Sequence, residues 1–102
     1  MRYAVVMFCV LVFGVTGALA DGAALYRKCI ACHGADGGTP PHGGTLANII
    51  RGKGAAEIAE TLKGYRDDPT FGGRLKGMMR PNVRGLSDEQ INTIANYVAT
   101  LP

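Results

Sequence analysis

The 102-residue sequence predicts a small all-α domain, and three observations carry the prediction. Leu86 to Leu101 holds a complete helix-start signature followed by a single apolar stripe. Ala55 to Lys63 repeats apolar residues with a period near four. The Gly- and Pro-rich segments around them show no apolar period and so punctuate helices rather than form strands.

At the N-terminus, Met1 to Ala20 has the composition of a secretory signal peptide. Arg2 is a minimal positive region, Ala4 to Val15 is nearly continuous apolar sequence, and Ala18-Leu19-Ala20 offers small residues for cleavage after Ala20. The apolar run is short for a membrane span, and an uncleaved anchor is the alternative. Cys9 lies within the run and leaves with it. Residues 21–102 then form one domain of 82 residues, for which export to the periplasm is expected. So short a chain buries little apolar surface by itself.

The first mature helix is expected to start near Asp21, whose carboxylate suits an N-cap, and to run toward Cys29. Leu25 and Cys29 share a face of it, with Leu25 or Tyr26 packing on another helix. The helix leads into Cys29-Ile30-Ala31-Cys32-His33, the attachment pattern of a c-type haem. The spacing suits the chemistry: two thiols add across the two vinyl groups as thioethers, and the next imidazole becomes the proximal iron ligand. A thioredoxin-like pair would need a βαβ setting, and no alternating run precedes Cys29. A zinc site would need a fourth ligand, for which His42 is the spare histidine. With both remaining cysteines in this motif no disulfide is available. The haem itself completes the missing core, so the apoprotein is expected to fold poorly.

Residues 34–54 read as a Gly-rich loop around Pro40-Pro41, wrapping the proximal side, where a carbonyl would receive the second ring N–H of His33. His42 in this loop is either a solvated residue or a second iron ligand. Ala55 to Lys63 reads as a helix closed by Gly64 at its C-terminus. Tyr65 follows, either half-buried or bonded to a haem propionate. Residues 66–69 and Gly72-Gly73 carry turn chemistry. Gly77-Met78-Met79-Arg80-Pro81 reads as a loop bringing a thioether to the sixth iron position, with Met79 or Met78 as the ligand. The chain closes with Ser87 and Gln90 as a capping box inside a Leu86/Ile91 staple. Ile91, Ile94, Ala95, Val98 and Leu101 then form the stripe, with Tyr97 at its border. That face is expected to cross the first helix and close the haem pocket.

Charge excludes more than it assigns. After removal of Arg2, ten Lys and Arg face eight Asp and Glu, a balance that argues against nucleic-acid or membrane binding. Eight of the cations fall between Arg51 and Arg84, as a solvated surface or as a docking rim.

Taken together, the helix entering C-x-x-C-H, the Gly-rich loop, the methionine pair and the capped last helix resemble class I cytochrome c. Asp21 to Tyr26, Cys32 to Gly37, Lys63-Gly64-Tyr65 and Met78-Met79 are similar to the small monohaem cytochrome c of sulfate-reducing bacteria. The resemblance spans residues 21–102, and the pattern departs at Pro40-Pro41-His42 and at Arg80-Pro81. It implies the cytochrome c fold, with N- and C-terminal helices crossing and short helices and loops around one covalent haem c. It implies Cys29 and Cys32 as attachment residues and His33 and Met79 as axial ligands. It further implies a monomeric, non-enzymatic periplasmic carrier of one electron. The donor would be a dehydrogenase, formate dehydrogenase or hydrogenase among them, and the acceptor a cytochrome oxidase or another cytochrome. A sensor or weak peroxidase with a labile methionine bond, and a subunit of a larger redox complex, are the competing readings.

Overall fold

The last helix, α5 (Asp88–Ala99), supplies the largest share of the buried core. Its start follows from the sequence: Ser87 Oγ accepts from the Gln90 amide at 3.1 Å and the Gln90 side chain accepts from the Ser87 amide at 2.9 Å. The staple partners Leu86 and Ile91 are both buried. Ile91, Ile94, Ala95 and Val98 fill the core, and Leu101 packs on it from beyond the helix end.

The computed structural model describes residues 20–41 and 43–102. The signal-peptide reading of residues 1–19, Cys9 within it, and His42 lie outside the described residues. In chain order the elements are α1 (residues 20–26), a 3-10 turn at Arg27–Cys29, and α2 (Ile30–His33). A second 3-10 turn (Leu46–Asn48), α3 (Ala55–Asp67), a third 3-10 turn (Gly73–Leu75), α4 (Lys76–Val83) and α5 follow. No strand is formed among the described residues, and no helix there is long and apolar enough to cross a membrane.

The terminal helices cross at a glycine. Gly22 is buried, and a Cβ placed there would lie 2.6 Å from Tyr97 Cβ and 3.3 Å from the Thr93 carbonyl. The absent side chain therefore sets how closely α1 approaches α5. One turn further on, Tyr26 is 1 % exposed and its ring meets Tyr97 at 5.6 Å between centroids. Helix α3 lies along α5 through the buried Ile58, and α4 packs on α3. Arg66, near the end of α3, pins the start of α5: it donates to the Leu86 carbonyl at 3.1 Å and pairs with Asp88 at 2.7 Å.

Four local expectations are corrected. Residue 20 is already helical, so in the described chain Asp21 lies inside α1 and is not its N-cap. The 34–54 segment is not all loop, because Thr45 and Asn48 cap the turn at Leu46–Asn48 reciprocally. Gly64 is interior to α3, which runs one turn further to Asp67. A Cβ there would meet the Phe71 ring at 2.8 Å, so the glycine serves close packing instead of termination. The methionine loop is a helix, α4, with Pro81 inside it. Proline fixes a φ that helix tolerates, and in so short a helix it forfeits only the bond to the Gly77 carbonyl.

Candidate functional site

Helix α2 is a single turn, and it collects the motif. Cys29 is its N-cap residue, while Cys32 and His33 lie within it. Gly34 closes it at φ +81°, where a Cβ would strike Thr39 Oγ1 at 2.6 Å, so the turn after the histidine requires glycine. The chain then folds back on the helix: the Thr39 amide donates to the His33 carbonyl at 3.0 Å, and the Arg51 amide donates to the Gly37 carbonyl at 2.9 Å. An Arg51–Asp36 ion pair at 2.9 Å reinforces that fold at the surface.

Between α2, α3, α4 and α5 the side chains leave two adjoining cavities. The larger encloses about 740 Å³, part of it open to solvent. Both are lined by Cys29, His33, Pro41, Leu62, Met79 and Ile94. The first extends toward Tyr26, Ile58, Tyr65 and Val98, with Asn48 and Lys53 as its polar members from the loop. Lys28, Cys32, Met78, Asn82 and Val83 line the second. The sequence-predicted residues thus converge: both thiols, His33 and Met79 face one apolar slot, although 42 residues lie between the end of α2 and the start of α4. Met78 is 48 % exposed and reaches only the second cavity, whereas Met79 is half-buried and lines both. One step along a helix turns the side chain by about 100°, which separates the two sulfurs.

The electrostatics suit a ligand set better than reactive thiols. Burial pushes the Cys29 thiol up from its ordinary value, the opposite of what a redox-active C-x-x-C pair requires. Burial also pushes the His33 imidazole down, favouring the neutral ring that a metal needs. His33 is 8 % exposed, and its Nδ1 is buried without a hydrogen-bond partner among the described residues. Among the described residues, therefore, no carbonyl receives that N–H as expected. Among the described residues no group of three or more His, Cys, Asp or Glu side chains is placed to hold a metal ion directly.

Tyr65 lines the first cavity, its ring edge-on to Phe71 at 4.9 Å, and close against Gly72, which has φ +89°. Asn48, Lys53, Leu75 and Asn82 were not predicted as lining residues. The neighbouring Ile49-Ile50 pair, apolar inside a Gly-rich stretch, was the available sign that this loop turns inward. Leu75 had no such signal, because its position depends on the turn that precedes α4.

A group that fits this slot is large, flat and mostly apolar, held at one edge by two thiols and from within by a nitrogen and a thioether. Haem c meets each requirement: Cys29 and Cys32 supply the thiols, His33, kept neutral by burial, the nitrogen, and Met79 the thioether. Comparison with known proteins agrees. The family model for cytochrome c matches residues 19–102. The chain is 43 % identical over 92 residues to cytochrome c-553 of Nitratidesulfovibrio vulgaris (strain Miyazaki F), covering 89 % of this chain and 87 % of that protein. It is 39 % identical over 80 residues to cytochrome c-553 of Desulfomicrobium norvegicum, covering 78 % and 94 %. It is 38 % identical over 85 residues to cytochrome c-554(548) of Halomonas halodenitrificans, covering 82 % and 96 %.

Proposed function

The chain belongs to the cytochrome c family, and from that premise we propose that Cys29 and Cys32 attach its haem c, with His33 and Met79 as the axial iron ligands. It is a haem electron carrier, not an enzyme. The convergence of both thiols, His33 and Met79 on one apolar slot is the observation that carries the ligand assignment. Bound there, the haem supplies a one-electron couple between ferrous and ferric iron.

The chain's own residues set how that couple works. Leu62, Leu75, Ile94 and Val98 give the slot an apolar wall, and low polarity around an iron with a thioether ligand favours the reduced state. Met79, on a helix and half-buried, would hold the sixth iron position and leave substrates none. Lys28, Cys32, Met78 and Asn82 line the second cavity on the C-x-x-C side, where brief docking would bring a partner near the attachment edge. Residues 1–20 support an exported, periplasmic protein with the cut after Ala20. On that reading the donor is a periplasmic dehydrogenase such as formate dehydrogenase or hydrogenase, and the acceptor is a cytochrome oxidase or another cytochrome.

The ligand assignment is tested by absorption spectra of the purified holoprotein and its Met79→Ala and Met78→Ala variants. The ferric wild type is expected to show the weak far-red sulfur-to-iron charge-transfer band. Met79→Ala is expected to abolish it, and Met78→Ala to leave it. Retention of the band in Met79→Ala would overturn the assignment.

A further inference from the structure

Among the described residues no hydrogen bond to the His33 ring fixes its orientation within the fold. Its Nδ1 has no partner among the described residues, so the direction of the imidazole rests on packing and on the backbone that carries it. That backbone is held on both sides of the residue. The Thr39 amide donates to the His33 carbonyl at 3.0 Å, and the Gly34 amide closes α2 by donating to the Ile30 carbonyl at 2.8 Å. The next carbonyl, that of Gly34, receives the Gly37 amide at 3.2 Å and, more closely, the Tyr26 hydroxyl at 2.7 Å.

The Tyr26 bond differs in kind from the others. Bonds from Gly34, Gly37 and Thr39 all arise within the turn that they stabilise, and they move with it. Tyr26 belongs to α1, and its ring is locked between helices by its contact with Tyr97. Its hydroxyl therefore ties the carbonyl of Gly34, the residue after His33, to the packed crossing of the terminal helices. A buried phenol normally finds some acceptor, but here the acceptor is a carbonyl one residue from the proposed ligand.

We propose that Tyr26 is a positioning residue for the axial ligand: its hydroxyl, through the Gly34 carbonyl, fixes the orientation of the His33 imidazole toward the iron. The proposal rests on the assignment of His33 as an axial ligand. Packing by the Tyr26 ring and orientation by its hydroxyl are separable, since Tyr26→Phe keeps the ring and loses the bond. Tyr97→Phe is the matched control, because it trims a hydroxyl from the same aromatic pair and leaves the bond to Gly34 intact.

The test uses the holoprotein and reads the proton resonances of the His33 ring, which a paramagnetic iron shifts far outside the ordinary range in the ferric state, together with the midpoint potential. Tyr26→Phe is expected to shift both away from the wild-type values, while Tyr97→Phe leaves both in place. If Tyr26→Phe loses stability but keeps the wild-type resonances and potential, Tyr26 only packs and the proposal is overturned. Equal shifts in both variants would overturn it too, by assigning the effect to the aromatic contact. Absence of shifted His33 resonances in the wild type would remove the axial assignment itself, a failure distinct from the other two. Should Tyr26→Phe not fold, the wild type still decides: a bonded Tyr26 hydroxyl proton exchanges slowly with water, and rapid exchange overturns the proposal.

Discussion

Replacing Gly22 by alanine tests the crossing of the terminal helices at its tightest point. The new Cβ would stand 2.6 Å from Tyr97 Cβ, against about 3.5–4.0 Å for an unstrained carbon contact. Tyr97 Cβ is fixed to the α5 backbone and cannot swing aside, and the Thr93 carbonyl at 3.3 Å blocks the other direction. The helices must therefore separate by about 1 Å, loosening the Tyr26–Tyr97 contact and the pocket wall behind it. Overpacking of this kind costs about 1–3 kcal/mol, offset by up to about 1 kcal/mol from the better helix propensity of alanine. Gly77→Ala is the control that separates the two terms, since Gly77 is exposed in α4 with no atom within 4 Å of its Cβ position. The propensity gain is shared, so the difference between the variants isolates the clash: Gly22→Ala should be less stable than Gly77→Ala by about 1–3 kcal/mol. Urea unfolding of the two holoproteins, followed by helical circular dichroism, measures it. A Gly22→Ala protein as stable as Gly77→Ala would refute the close crossing.

Two further outcomes follow from the same packing. Burial foremost, reinforced by Cys29, Tyr97 and Asp36, pushes the Tyr26 phenol up to about 12. A folded value above the unfolded one, about 10, means that this contribution to stability is whole below the unfolded value. It is then lost as pH rises through the folded value. Alkaline destabilisation between about pH 10 and pH 12 should therefore be weaker in Tyr26→Phe, measured as the slope of unfolding free energy against pH. Protein prepared without haem should lack fixed tertiary structure, because Ile58, Leu62, Ile94 and Val98 would then face a slot with nothing in it to pack against. Near-ultraviolet circular dichroism and hydrogen exchange would show this, and a cooperative, native-like apoprotein would contradict it.

Local chemistry alone determined much of this protein. The Ser87/Gln90 box and the Leu86/Ile91 staple fixed the start of α5, and the stripe from Ile91 to Val98 fixed its buried face, because caps and periodicity act within a few residues. Cys29, Cys32 and His33 announced a covalent haem for the same reason: thioether attachment needs its thiols at one spacing. Tertiary structure decided what local rules left open. Whether Gly64 ends a helix or lets Phe71 approach one depends on Phe71. Whether Met78-Met79 forms a loop or a helix depends on what α4 packs against, and the helical geometry then separates the two sulfurs. The partner of the Tyr26 hydroxyl could not be read at all, since it joins α1 to a carbonyl beyond the motif and exists only once both are folded. Short-range patterns specify elements; choices among neighbours that meet only in the folded chain are made by packing, which no single segment encodes.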